Sequence, residues 1–182
     1  MKAYLDLVKH VLDEGVLKKN IKRFTMLNGL DHPSINKKKR KFESLKKQNR
    51  NKIIILFVGR LEEYKGIRMF VNVIFKLLKN KKKKIKIFIV GDGSLFAEVN
   101  HKVKQLNYTE DVLLFKNIPH KDILELHSIS DIYVSTNKDG NLSNSNLEAI
   151  SSNDCMLIPD PQIKDKIDLQ THSYLKGSVM YY

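Results

Sequence analysis

A single cysteine, Cys155, stands in the 182-residue chain. It has no partner for an internal disulfide, and multi-cysteine metal sites are excluded with it. No apolar run comes near the roughly 20 residues a helix needs to cross a bilayer. Met1 to Gly15 alternates charged and apolar residues, unlike the apolar core of a signal peptide. The cytoplasm is therefore the expected compartment. No stretch rich in proline, glycine and serine divides the chain, and no internal repeat is visible. Aromatic residues do not interleave with the basic runs, as single-strand nucleic-acid platforms require. Neither a C₂H₂ finger nor a helix-turn-helix pattern is present, so nucleic acid is not an expected partner.

What the chain does have is a hydrophobic fraction of 42% and a net charge of +13. The first, at this length, is enough for one domain with a core. The second gathers in two places, Lys37 to Lys41 followed by Lys46, Lys47, Arg50 and Lys52, and Lys79 with Lys81 to Lys84. The later cluster falls between a helix and a strand, where a solvated connection is expected. Two readings of the charge stay open, a general bias toward lysine and an anionic membrane surface as partner.

Apolar residues at helical spacing predict an amphipathic helix over Lys2 to Asp13, stopped at Gly15. Ile21 to Leu27 reads as a short strand, Asn28-Gly29 as a turn, and Asn36 to Gln48 as a surface helix anchored by Phe42 and Leu45. A regular alternation then begins. Strands are expected at Ile53 to Val58, Ile85 to Val90, Val112 to Phe115, Asp131 to Val134 and Cys155 to Ile158. Helices are expected at Ile67 to Leu78, Leu95 to Leu106, Lys121 to His127 and Ser143 to Ser152, with a last strand near Ser178 to Tyr182. Such alternation gives an α/β fold, a parallel sheet with helices on both faces. Ligands of such sheets bind beyond the carboxyl ends of the strands. Gly59-Arg60, Gly91-Asp92-Gly93 and Asp139-Gly140 all fall there.

Two segments carry chemistry. In the first, the strand ending at Val58 is followed by Gly59, Arg60, Lys65 and Gly66. Two fixed cations beside a helix start suit a diphosphate, although strand–glycine–helix junctions with basic residues are common in α/β proteins. The second runs from Ser135 to Ala149. Its polar loop enters a helix near Ser143, where Asn144 and Ser145 offer small polar groups and amides. Glu148 further along is suited to a ribose hydroxyl pair, since a carboxylate accepts two O–H donors. The alternative is a serine N-cap with a first-turn glutamate favoured by the helix dipole. Gly91-Asp92-Gly93 lacks the third glycine of a dinucleotide fingerprint, Phe96 standing in its place. It reads instead as a tight turn needing positive φ. His101, His120, His127 and His172 show no paired metal-ligand spacing and are expected on the surface or in loops.

Taken together, Phe57-Val58-Gly59-Arg60-Leu61 with Lys65-Gly66, Ile89 to Gly93, Val112 to Phe115 with Asp131 to Val134, and Asn141 to Asn144 with Leu147-Glu148-Ala149 resemble a known family. It is the C-terminal, donor-binding domain of the retaining GT-B glycosyltransferases, group 1 or family 4. The likeness runs from about Ile21 to Asp160, and Asn28 to Asp31 resembles the family's segment after its interdomain crossover. It implies a Rossmann-like sheet and the transfer of a sugar from a nucleotide-diphosphate sugar to a saccharide or lipid-linked acceptor, in cell-envelope polysaccharide or glycolipid synthesis. No metal or other cofactor is implied.

By the same resemblance, Arg60 and Lys65 hold the donor diphosphate and Glu148 the ribose. Asn117-Ile118 lies beside the base, and Asn141, Leu142, Ser143, Asn144 and Ser145 approach phosphate or sugar. Gly59, Gly91, Gly93, Asp139 and Gly140 complete the expected substrate site. Arg60, Lys65 and Glu148 are expected to converge at neighbouring strand ends. The chain departs from the family in three places. The glutamate usual before Glu148 is replaced by Gly140, with Asp139 adjacent, and the usual glycines stand as Asn117 and Asn153. Residues 1–20 would be a remnant of an N-terminal domain or crossover helix. Residues 21–182 would be the nucleotide-sugar-binding domain, incomplete at its C-terminus. Such a half-enzyme is expected to turn over little by itself, and a binding-only remnant is the alternative.

Overall fold

The computed structural model describes residues 41–79, 84–137, 143–152, 155–159 and 179–181. The expected N-terminal helix, the strand over Ile21 to Leu27, the Asn28-Gly29 turn, Lys81 to Lys83 and the loop Lys138 to Leu142 lie outside these residues. The same holds for Asn153, for His172 and for residues 1–20 as a unit.

The described chain runs α1 (Glu43–Gln48), β1 (Ile53–Val58), a short 3₁₀ turn (Glu63–Lys65), α2 (Ile67–Lys79), β2 (Ile85–Val90), α3 (Phe96–Gln105) and β3 (Val112–Phe115). It continues through α4 (His120–Ile129), β4 (Ile132–Val134), α5 (Asn144–Ser151), β5 (Cys155–Ile158) and β6 (Val179–Tyr181). The strands form one six-stranded sheet in the order β3-β2-β1-β4-β5-β6, with every neighbouring pair parallel. The chain winds outward from β1 through β2 and β3, then returns to start again at β4. The strand order therefore reverses between β1 and β4, the place where open α/β sheets form their ligand crevice.

The largely apolar runs IIILFV and IKIFIV explain why β1 and β2 are interior strands of the sheet, each paired on both sides. Alternate residues point to opposite faces. Ile55, Phe57, Ile87 and Ile89 pack with α2 and α3 residues such as Phe70, Ile74 and Val99. Ile54, Leu56, Phe88 and Val90 pack with Leu126 and Ile129 of α4 and Ala149 of α5. Each full burial of such a side chain contributes about 1.5–3 kcal/mol. Helices thus cover both faces, as the alternation predicts.

Two boundaries differ from expectation. The helix expected from Asn36 is helical only from Glu43 among the described residues. Just before it, the amides of Lys41 and Phe42 both donate to the Glu125 carboxylate, at 3.0 and 2.7 Å, and Lys41 Nζ reaches Asp122 at 2.7 Å. Those bonds turn the backbone toward α4 and away from helical geometry. α4 itself is longer than Lys121 to His127, because the Pro119 carbonyl starts it by accepting from Asp122 N at 2.8 Å.

Candidate functional site

The loops that follow β1 and β2 are joined along their length. Gly59 N donates to Val90 O at 3.0 Å, Leu61 N to Asp92 O at 2.9 Å, and Leu95 N to Leu61 O at 2.9 Å. A Cβ on Gly91, which has φ +148, would stand 1.9 Å from the Gly59 carbonyl oxygen, and one on Gly93 would stand 2.5 Å from that of Leu61. Positive φ is indeed required there, and the cause is this close backbone approach. Glu62 adds a side-chain tie, accepting from Ser94 N at 3.0 Å and from Ser94 Oγ at 2.5 Å. The Ser94 hydroxyl and then its amide hold the Glu62 carboxyl below its usual range against an opposing effect of burial, with the charge of Arg60 a lesser aid.

Two clefts open at the carboxyl ends of the strands, and they meet at Val58, Gly59 and Arg60. The wider, about 610 Å³, spans the ends of β1, β2 and β3. Its walls include Gly91, Asp92, Gly93, Lys116, Asn117 and Ile118. Lys116 Nζ lies 3.6 Å from Asp92 Oδ1 and 5.5 Å from the Phe96 ring centroid. The narrower, about 340 Å³, lies where the strand order reverses, with Lys65, Ser135, Thr136, Ser143 and Ser145 in its walls.

Lys65 is held there by its own backbone. The Thr136 hydroxyl donates to the Lys65 carbonyl. The next residue, Gly66, takes φ +72 to close the 3₁₀ turn against Thr136. Lys65 Nζ rests 5.1 Å from the Tyr64 ring centroid. Among the described residues, neither Arg60 nor Lys65 makes an ion pair.

Ser143 caps α5, its hydroxyl oxygen accepting from Asn146 N at 3.3 Å and donating to Asn146 Oδ1 at 3.0 Å. Tyr133 OH donates to the same Asn146 oxygen at 3.0 Å, which locks the start of α5 to β4. The serine cap of the alternative reading is present. The first-turn glutamate is not, because α5 has no acidic residue in its first turn. Glu148 lies deeper and is buried.

The structure thus brings Arg60, Lys65, Gly59, Ser143 and Ser145 to one cleft, and Gly91, Gly93, Asn117 and Ile118 to the adjoining one. Glu148 and Asn144 line neither. Asp139, Gly140, Asn141 and Leu142 lie outside the described residues. Glu148 Oε1 instead meets His120 Nε2 at 2.8 Å, and Oε2 lies 3.9 Å from His127 Nε2. The expectation that His127 lies on the surface is corrected here. It is fully buried on the face of α4 that packs toward Tyr133 and α5. Sequence reasoning missed it because a histidine among Leu124, Leu126 and Ile129 carries no local sign of which face it takes. It also passed over Glu62 and Lys116, which wall the wider cleft. Among the described residues, no group of three or more histidine, cysteine, aspartate or glutamate side chains could hold a metal ion. Nor is any described helix long and apolar enough to cross a membrane.

The same framework occurs in solved proteins. The C-terminal domain of a group 1 glycosyl transferase from Francisella tularensis superposes with a TM-score of 0.54 at 18% identity, over 73% of this chain and 80% of that one. The Anabaena protein HepE, solved with UDP and glucose, superposes at 0.54 and 16% identity, over 71% of this chain and 34% of that one. These likenesses show the fold, an α/β Rossmann-like sheet of the kind found in the C-terminal half of GT-B glycosyltransferases. In sequence, an uncharacterized glycosyltransferase of Methanocaldococcus jannaschii is 33% identical over 112 residues, 59% of this chain and 28% of that protein. A Campylobacter jejuni N-acetylgalactosaminyltransferase, named for an undecaprenol-diphosphate-linked acceptor, is 40% identical over 70 residues, 38% of this chain and 18% of that protein. The chain spans well under half the length of these curated relatives. The family model for glycosyl transferases group 1 matches residues 37–160, which takes in both clefts and the strands that build them. The chain belongs to the group 1 glycosyl transferases.

Proposed function

We propose that this chain is the donor-binding part of a glycosyltransferase that takes a sugar from a nucleotide-diphosphate sugar. The observation that carries the reading is the placement of Arg60 and Lys65 on one cleft at the point where the strand order reverses. A diphosphate in that cleft would meet both cations and the amino end of α5, whose first amides have no partner within the helix. The adjoining cleft, lined by Gly91, Gly93, Asn117 and Ile118 among others, has the volume and mixed character to take a nucleoside. Glu148 lines neither cleft, but it stands three residues beyond Ser145, which lines the narrower one, and under this reading its carboxylate accepts the ribose hydroxyls.

In the transfer itself, the bond from the anomeric carbon to the β-phosphate oxygen breaks and its electron pair stays on the phosphate. The acceptor hydroxyl bonds to that carbon and passes its proton to the departing phosphate oxygen. Arg60 and Lys65 oppose the charge that builds on the departing diphosphate, in the role other transferases give to a metal. Stereochemistry is retained under this reading, and no cofactor takes part. The Campylobacter relative's name supports a saccharide on a lipid-linked carrier as acceptor. The net charge of +13 suits work at an anionic membrane surface on its cytoplasmic side.

Isothermal titration of the chain with UDP, GDP and ADP, and with their sugar conjugates, tests the proposal. Micromolar to millimolar binding is expected, weakened by Arg60→Ala and by Lys65→Ala. Unchanged affinity in both variants overturns the assignment of the site.

A further inference from the structure

Glu148 lines neither cleft, but its carboxylate meets α4, hydrogen-bonded to His120 through Oε1 and facing His127 across 3.9 Å through Oε2. His120 stands two residues beyond Ile118, which lines the wider cleft, and Glu148 stands three beyond Ser145, which lines the narrower. His120 and His127 are two helical turns apart and so share one face of α4. The half-exposed His120 holds Oε1 at 2.8 Å, and the buried His127 faces Oε2 at 3.9 Å. The Glu148 side chain is only 9% exposed, so its rotamer is fixed by these neighbours and not by water. A carboxylate has about four acceptor sites, and the histidine contact at 2.8 Å uses one. Oε1 and Oε2 keep capacity for two hydroxyl donors.

We propose that His120 is a positioning residue for nucleoside recognition. Its Nε2–H holds the Glu148 carboxylate in the orientation that accepts the ribose hydroxyls, and so couples the loop at Asn117-Ile118 to α5. The proposal rests on the reading of Glu148 given above. It needs the imidazole in the tautomer that carries its proton on Nε2, which a neighbouring carboxylate selects.

The test compares UDP, GDP and ADP, each paired with its 2′,3′-dideoxy analogue, by titration calorimetry on the full chain. The pair with the tightest ribonucleotide is carried into the variants. Wild type is expected to favour the ribonucleotide. His120→Phe keeps the ring and removes the donor, and the preference is expected to fall about fivefold or more while affinity for the dideoxy form holds. His120→Gln keeps a donor at the same reach and restores the preference. In wild type, ¹⁵N shifts of the imidazole are expected to report an Nε2–H bonded to a carboxylate, and Glu148→Ala to move the Nε2 resonance toward that of a solvent-exposed histidine. The ¹⁵N readout needs no substitution at His120 itself.

The outcomes separate the two readings. A wild type that binds no ribonucleotide more tightly than its dideoxy partner removes both the ribose role of Glu148 and this inference. A wild-type preference that survives in His120→Phe overturns this inference alone. A preference that rises in His120→Phe shows the imidazole competing for the carboxylate, and overturns it too. Equal loss of both ligands marks a merely structural contact, and likewise overturns it.

Discussion

Cations stand at both ends of this sheet, and they are treated in opposite ways. At the amino end, Lys52 Nζ pairs with Asp111 Oδ1 at 3.0 Å, and Lys86, buried in β2, donates to the carbonyl of Glu110. At the carboxyl end, Arg60 and Lys65 share a cleft and make no ion pair among the described residues. The first pair is satisfied by its own fold and asks for no ligand. The second is held in place by backbone contacts, through Gly66 against Thr136 and through the joined loops after β1 and β2, with Lys65 Nζ over the Tyr64 ring and Arg60 near Glu62; under the proposed function its charge meets the donor diphosphate. On that reading the paired cations belong to the scaffold and the others to a site, and the contrast can be broken experimentally.

Gly91→Ala strikes the scaffold of the carboxyl end most severely. Its Cβ would lie 1.9 Å from the Gly59 carbonyl oxygen, at a φ that other residues avoid. Backbone strain and overpacking together are expected to destabilise the chain by about 3 kcal/mol. A chemical denaturation curve would read this as a lower midpoint, and nucleotide binding should weaken with it. A substitution that leaves the midpoint in place means that the two loops part easily and that the cleft floor is soft.

Arg60→Ala and Lys65→Ala should do the reverse, leaving the fold and removing the function. Each loses a charge-assisted bond to the diphosphate, which corresponds to about a 10- to 100-fold loss of affinity, with stability changed by less than about 0.5 kcal/mol. Lys52→Ala should show the mirror image, a stability change with no change in nucleotide affinity. Equal effects at the two ends would erase the distinction drawn between them.

How much of this could be read in the chain depends on how local each cause is. IIILFV and IKIFIV announce buried parallel strands because the signal lies in the residues themselves. Ser143 before an amphipathic run announces a cap for the same reason. The placement of Arg60 and Lys65 follows from a strand end and a turn. What was hidden depends on partners far along the chain. Glu125 accepts from the Lys41 and Phe42 amides more than 80 residues away, and no motif marks it. Glu148 meets His120 across 28 residues, so its burial against α4 was invisible while its place on α5 was not. Gly91 was legible as a turn glycine, but the reason for it is the Gly59 carbonyl on another loop.

Ser143→Ala tests the rigidity of the narrower cleft more gently. Removing the cap should destabilise by about 1 kcal/mol, seen as a shift of a few degrees in thermal melting. It also frees the Asn146 amide that the Ser143 hydroxyl now holds. If α5 owes its position to Tyr133 OH as much as to the cap, nucleotide affinity should fall less than twofold. A larger drop would assign the cap itself to ligand contact.

The smallest effect is expected at Lys86, and its pH dependence has a definite sign. Burial, the largest cause, and then the charge of Lys52 lower its ammonium below the ordinary lysine range, with Asp111 and Glu110 opposing. Between the lowered folded value and the ordinary unfolded one, the unfolded chain binds a proton that the folded chain does not. Stability conferred by this residue therefore rises with pH across that window, and below it the full penalty of the buried charge is present. Lys86→Met removes the charge while keeping the stem that packs in β2. At neutral pH it should leave stability unchanged or raise it by about 1 kcal/mol, since a buried charge is often replaced by an apolar side chain without loss. It should also flatten the alkaline rise in denaturation midpoint expected of wild type from this residue. A clear loss of stability at neutral pH would mean that the bond to the Glu110 carbonyl outweighs the burial of the charge, and that the amino end of the sheet depends on its cation after all.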